Sequence, residues 1–288
     1  MQVTMATSPA KPDQANEDFT AATPSGVVLL DGAGLSGTTS RCSHGVAWYT
    51  RQLGGALIAG LADDSDQKLP AILSEAIKQT AALHEDTCHL DELGTPSATV
   101  IMLRTNRDHL EYLVLADSVL ILDQADDAPL VISDDREAKI GQHYRAAMDN
   151  LANGTPEHDQ ARRDYVQALR PHRNKSGGFW VAAADPRAAD EAIVGSRSIK
   201  DVTAAALLSD GVSRLTDRFG LTDWTGLLTI LHDHGPAELI RRRRLRPTGR
   251  ALAPWEGSRR RDRRLLHATT RRIALLLRLP NCASKGQP

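Results

Sequence analysis

The sequence predicts an α+β protein in which two antiparallel sheets pack together and helices cover their outer sides. Its 288 residues are 41% apolar, which is enough to form a buried core without disulfides or structural metal ions. Several apolar runs follow one another with only short polar turns between them, as is typical of antiparallel strands. Helical patterns come in pairs and do not alternate regularly with strands, which argues against a parallel βαβ sheet.

We expect one domain at residues 13–243, preceded by a flexible leader at 1–12 and followed by an Arg-rich tail at 244–288. The predicted strands are short apolar runs: 26–31, 97–103, 110–116, 118–123, 129–133, 177–184 and 203–210. The predicted helices are 46–61, 69–83, 136–170 with a break at 154–156, a short one from Pro186, 213–219, 222–234 and 236–244. A loop rich in Gly, Ser and Thr follows the first strand at residues 32–40.

Composition argues against several classes of protein. No apolar run reaches the roughly 18–20 residues of a membrane span, and the N-terminus lacks the apolar segment of a secretion signal. Cys42, Cys88 and Cys282 are odd in number and lack metal-type spacing, so they are interpreted as reduced, inert thiols of a cytoplasmic protein. The histidines are scattered along the chain, and the sequence identifies none of them as a partner for these cysteines.

Acidic residues stand where predicted strands begin or end. Glu17 and Asp18 precede a β-type stretch, Asp31-Gly32 and Asp210-Gly211 end two apolar strands, and Asp117 lies between two others. A carboxylate at the end of a buried strand is costly unless it is paired or binds a metal. Several carboxylates without Cys or His ligands suit a hard cation such as Mg²⁺ or Mn²⁺. The alternative is that each Asp-Gly pair is only a turn dipeptide.

The ordered set of these motifs resembles the metal-dependent protein phosphatase 2C (PPM) family in its bacterial form. The motifs are NED at 16–18, the strand ending in DG at 31–32, GTPSATVIML, LADSVLIL, and SDG at 209–211, and the resemblance covers about residues 10–240. It implies an α-β-β-α sandwich of two mainly antiparallel sheets flanked by helices. It also implies a cytoplasmic protein-serine/threonine phosphatase that acts on phosphorylated proteins with two Mg²⁺ or Mn²⁺ ions.

The resemblance also implies roles for individual residues. Glu17 would bind one metal, Asp31 would bridge both with the Gly32 carbonyl as a further ligand, and Asp210 would bind the second metal. Asp18 would hold a metal-bound water, so that Asp18 and Asp31 are the expected catalytic residues. Asp117 is either a peripheral metal ligand or a residue of a structural turn.

Three positions depart from the family pattern. Asp13 stands where the family carries an Arg that binds the substrate phosphate, and Lys11 is the nearest cationic residue in the sequence. Arg214 stands where some members have an acid that binds a third metal. The Asp-Asp pair that supplies a ligand near the end of the family domain is missing. The residue that binds the substrate phosphate is therefore unassigned, and the alternative function is a catalytically impaired regulatory or binding module of the same fold.

The tail is strongly basic. Residues 241–272 hold thirteen Arg and two acids, a local charge of +11, which leaves −12 for the rest of a chain whose net charge is −1. Back-translation from Arg246 with freely chosen synonymous codons, read with the first base omitted, gives DPRAGRWPRGKVRDDATVAYC, which contains the expected Asp-Asp motif and a strand. A frameshift is therefore one interpretation, a genuine basic appendage another, and an arm that binds nucleic acid a third, weakened by the lack of interleaved aromatic residues.

Overall fold

The computed structural model describes residues 1–34, 42–63, 66–92, 94–151, 155–217, 220–244 and 272–279. One five-stranded sheet has the order β1-β10-β9-β6-β7, and the other has the order β2-β3-β4-β5-β8. Every neighbouring pair of strands is antiparallel. The strands are β1 (Gln2–Ser8), β2 (Phe19–Ala22), β3 (Gly26–Ala33), β4 (Ser97–Asn106), β5 (His109–Leu115), β6 (Val119–Gln124), β7 (Leu130–Ile132), β8 (Ile193–Ser198), β9 (Val202–Leu208) and β10 (Arg272–Arg278).

Helices cover the outer face of each sheet. The helices are α1 (Val46–Ala62), α2 (Leu69–Ala82), α3 (Arg136–Asp149), α4 (Pro156–Leu169), α5 (Asp210–Ser213), α6 (Trp224–His234) and α7 (Pro236–Arg244). The pair α1 and α2 packs on the sheet that contains β3, and α5, α6 and α7 pack on the sheet that contains β10. The predicted α-β-β-α sandwich is therefore confirmed.

Alternation along the strands explains how both sides of each sheet become apolar. In β3, Val27 and Leu29 point into the core between the two sheets, where they meet residues such as Leu207 of the other sheet. Val28 and Leu30 point the other way, into the core beneath α1 and α2. Because both faces are buried, the strand has a continuous apolar sequence and not an alternating one.

Both ends of the chain differ from the prediction. Residues Gln2–Ser8, expected to belong to a flexible leader, form the edge strand β1, which pairs with β10 along its whole length. The tail is predicted to replace the last strand of the family fold, with residues 273–279 left open as a strand or a helix, and it itself supplies β10 (Arg272–Arg278) between β1 and β9. The leader is not recognisable as a strand because β1 is largely exposed and its partner β10 lies at the other end of the sequence. Residues 245–271, with the possible frameshift and most of the basic charge, lie outside the described residues.

Two further segments differ from the prediction. Residues 177–184 form no strand of a sheet, although Phe179 and Ala182 each take part in an isolated bridge. Their apolar side chains pack beside α3 and α4 or beneath α2, so they are buried without belonging to a sheet. The exposed strand β8 has no apolar pattern that would have predicted it. None of the described helices is long and apolar enough to cross a membrane.

Truncation of Leu275 tests whether β10 belongs to the core. Leu275 is fully buried on the inner face of β10, whereas Met5, its partner in β1, is 45% exposed. We expect Leu275→Ala to lower the free energy of unfolding by about 2–5 kcal/mol, because it leaves a cavity between the sheets. The matched Met5→Ala change should cost less than about 1 kcal/mol. Equal small losses in urea unfolding would show that β10 does not occupy this position.

Candidate functional site

Strands β2 and β3 bring the first group of predicted residues together. Phe19 pairs with Leu30, so the residue before Phe19 and the residue after Leu30, Asp18 and Asp31, lie at the same level of the sheet. Both are buried. A Cβ atom at Gly32 would collide with the carbonyl oxygen of Glu17 and with side chains of α1. Gly32 therefore allows the backbone at Glu17 and the first turns of α1 to approach β3 closely.

Two buried hydroxyl groups link Asp31 to the position of Asp117. The Asp31 N–H donates a hydrogen bond of 3.3 Å to Oγ1 of Thr99 on β4. That Thr99 oxygen lies 2.6 Å from Oγ of Ser118, which directly follows Asp117 and precedes β6 of the other sheet. The two sheets are thus joined at this end, and Asp31 and Asp117 come from opposite sides of the junction.

Arg214 lies among the acids of this end of the sandwich. Its guanidinium forms a salt bridge with Asp210, the first residue of α5, which follows β9. The pKa of Arg214 is raised chiefly by the negative charge of Asp210 and further by those of Asp117, Asp31 and Asp217. These four carboxylates therefore act on a single cation.

The crowding of carboxylates changes the acidity of two of them. Burial and the charge of Asp210 raise the pKa of Asp117 to about 7, although Arg214 works in the opposite direction. Burial and the charges of Asp117 and Asp210 raise the pKa of Glu137, in the first turn of α3, to about 8. A cation at this place would relieve the repulsion, and its binding would favour the ionised forms.

The structure therefore places the predicted residues at one end of the sandwich in two connected groups. The first group lies where β2 pairs with β3, and its members are Glu17, Asp18, Asp31 and Gly32. Asp31 also acts on Arg214 together with Asp117 and Asp210. Asp117 therefore interacts electrostatically with Asp210, and its role as a peripheral ligand or a turn residue stays a prediction.

Sequence reasoning missed three members of this site: Glu137, Asp217 and the cationic role of Arg214. Glu137 belongs to a helix with few apolar residues, and no pattern connects it with the strand ends. Arg214 was noted only as the replacement of an acid. Its spacing of four residues from Asp210, which favours an ion pair within one helical turn, was the signal available. Near the N-terminus Lys11 is partly buried and Asp13 is exposed, and neither is assigned to the substrate phosphate.

Cys42 and Cys88 are free thiols as predicted, but the prediction that neither has a histidine partner is wrong. Sγ of Cys42 lies 3.5 Å from Nδ1 of His84, and Sγ of Cys88 lies 3.4 Å from Nδ1 of His44. The sequence failed to show this because the two pairs are 40 residues apart and meet only when α1 packs against α2. Burial raises the pKa of Cys42. Burial also opposes ionisation of Cys88, but hydrogen bonds involving His84, the Ser43 backbone and Thr87 lower its pKa to about 5.

Solved structures of serine/threonine phosphatases share this fold of two antiparallel sheets between helix layers. A bacterial serine phosphatase matches 98% of this chain and 98% of its own at a TM-score of 0.60 and 12% identity. The serine/threonine phosphatase Stp1 from Staphylococcus aureus matches 97% of this chain and 95% of its own, at a TM-score of 0.60 and 12% identity.

A third structure contains metal. The catalytic domain of the serine/threonine protein phosphatase PstP, in complex with two manganese ions, matches 96% of each chain at a TM-score of 0.53 and 15% identity. At these identities the likeness establishes the fold. The sequence itself matches no protein-family model and no curated protein.

The raised pKa of Asp117 predicts how the stability of the metal-free protein depends on pH. An unfolded Asp titrates near 3.9, and the folded group near 7, so the folded state binds more protons between these values. Stability from this group is therefore greatest below about pH 4 and is lost as the pH rises toward 7. In urea unfolding at pH 5 and pH 8, Asp117→Asn should lose less stability across this range than the unaltered protein.

The exposed carboxylate of Asp190 supplies the control for this measurement. Asp190→Asn should keep the pH dependence of the unaltered protein, because its side chain lies in solvent. An unchanged pH dependence in Asp117→Asn would show that Asp117 ionises as an ordinary exposed acid.

Proposed function

We propose that this protein is a metal-dependent phosphoprotein phosphatase that hydrolyses phosphoserine or phosphothreonine. The observation that carries the proposal is that the carboxylates of Asp31, Asp117 and Asp210, which come from three different strand ends, all act electrostatically on Arg214. A sandwich fold shared with serine/threonine phosphatases supports the same conclusion. A cytoplasmic location is part of this proposal.

The donors at this site fit Mg²⁺ or Mn²⁺. They are carboxylate oxygens and the backbone carbonyl of Gly32, and hard divalent cations prefer such oxygen ligands. Glu17, Asp31 and the Gly32 carbonyl would hold one ion, and Asp31 and Asp210 the other, with Asp117 at the periphery. Two such ions supply activation of a water molecule and neutralisation of charge on the phosphoryl oxygens.

The protein's own residues would prepare this chemistry in two ways. Asp18, buried beside Asp31, would accept a hydrogen bond from the attacking water and orient it toward phosphorus. The Thr99–Ser118 hydroxyl pair would fix the backbone of Asp31 relative to Asp117, so that the ligands from both sheets keep their separation.

A second candidate function is a non-catalytic binding module, and Arg214 is the observation that favours it. Its guanidinium already neutralises Asp210, which would otherwise be a ligand of the second ion. Within the described residues β10 provides no acid to replace the missing Asp-Asp pair. A protein in which Arg214 permanently replaces the second ion would keep the fold and would bind phosphoproteins without hydrolysing them.

Hydrolysis of an aryl phosphate with and without Mn²⁺ separates the two functions. We expect Mn²⁺-dependent turnover that falls at least about 100-fold in Asp31→Asn and in Asp210→Asn, because each removes a ligand charge at the reacting phosphate. The control Asp233→Asn alters an exposed acid paired only with a neighbouring His and should retain full activity. Mn²⁺ binding without turnover, also in a version carrying the reframed tail, would contradict the phosphatase proposal and favour the binding module.

Removal of Arg214 tests whether it competes with a metal ion. We expect Arg214→Ala to tighten Mn²⁺ binding about tenfold, which corresponds to relief of about 1.4 kcal/mol of charge repulsion. Arg187→Ala removes an exposed Arg that is also paired with an Asp, and it should leave the affinity unchanged. Calorimetric titration measures both variants. Weaker binding in Arg214→Ala would mean that this side chain supports the site and does not compete with the ion.

A further inference from the structure

A cluster of two cysteines and two histidines lies at one end of the α1–α2 pair. Its members are Cys42 and His44, just before α1, and His84 and Cys88, just after α2. One ligand atom from each residue lies within 4.8 Å of all the others. None of the acids of the proposed active site belongs to this group.

The distances fit a tetrahedral metal site. Zinc bonds of about 2.3 Å to sulfur and about 2.0–2.1 Å to nitrogen place neighbouring ligand atoms about 3.3–3.8 Å apart in a tetrahedron. The three sulfur–nitrogen separations recorded here are 3.4, 3.5 and 3.9 Å, and each involves the Nδ1 atom of a histidine. Two of these separations lie within the range of a tetrahedral zinc site, and the third exceeds it by about 0.1 Å.

The surroundings also suit a metal site. Cys42, His84 and Cys88 are buried, whereas His44 is exposed and leaves a route of entry. Hydroxyl oxygens of Ser43 and Thr87 lie 3.9 and 3.8 Å from Sγ of Cys88, close enough for weak hydrogen bonds to the sulfur. The ring of Trp48 packs against both histidines, with centroids 4.3 Å from His44 and 4.9 Å from His84.

We infer that Cys42, His44, His84 and Cys88 bind one structural Zn²⁺ ion that fastens the start of α1 to the end of α2. Two thiolates and two imidazoles in a tetrahedron select zinc over Mg²⁺ or Mn²⁺, and four protein ligands leave no open position for catalysis. The two helices are joined at one end by the connection between Ala62 and Leu69. The zinc site closes the other end, and it is independent of the proposed phosphatase activity.

Metal content of the purified full chain tests this inference directly. We expect one zinc per chain in the unaltered protein by mass spectrometry of the metal, and less than about one tenth of this in Cys88→Ser. Cys282→Ser is the matched control, because it removes the remaining cysteine and should retain the zinc. Asp210→Asn should retain it also, which separates this site from the carboxylate site. Absence of zinc from the unaltered protein, even after dialysis against Zn²⁺, would overturn the inference.

A second measurement needs no substitution and remains decisive if Cys88→Ser fails to fold. Replacement of the metal by Co²⁺ should give the intense visible absorption of tetrahedral cobalt, with a near-ultraviolet band from the two thiolates. The weak spectrum of octahedral cobalt would contradict the assignment. A thiol reagent should modify Cys42 and Cys88 only after the metal is chelated. A disulfide between these cysteines in the freshly purified protein would likewise overturn it.

Discussion

Burial of both faces of the central strands is the constraint on which the rest of the structure depends. The inner faces meet each other, and helix layers cover the outer faces, so the strands offer no place for a charged group along most of their length. The acids of the proposed site therefore lie where such strands end. This is why Asp31, Asp117 and Asp210, which are far apart in sequence, all act electrostatically on Arg214.

The electrostatics of this end follow from the same constraint. Carboxylates that approach one another in a poorly solvated place repel, and the raised pKa values of Asp117 and Glu137 express that repulsion. The positive charge of Arg214 offsets part of it. In a protein that bound metal ions here, the ions would neutralise the carboxylates and Arg214 would add little. In a protein without metal, Arg214 would be the group that offsets their repulsion.

The sequence predicted most of the fold because its central strands are apolar on both faces and its helices have clear periodicity. Five strands can be recognised from their own apolar sequence, without knowledge of the strands they pair with. They are β3, with Val27 to Leu30, and β4, β5, β6 and β9. Strands β1 and β8 were missed because they lie at the edges of their sheets and have polar sequences. The acids at strand ends were found by position, whereas Glu137 and the Cys-His cluster depend on tertiary contacts between helices that no local pattern encodes.

The close approach at Gly32 joins two parts of the protein that would otherwise be separate. Val46, which a side chain at position 32 would strike, begins α1 only two residues after His44. The first turn of α1 thus touches the strand that carries Asp31 on one side and continues into the cysteine–histidine cluster on the other. A larger side chain at position 32 would therefore press on the first turn of α1, which lies between the strand that carries Asp31 and the cysteine–histidine cluster.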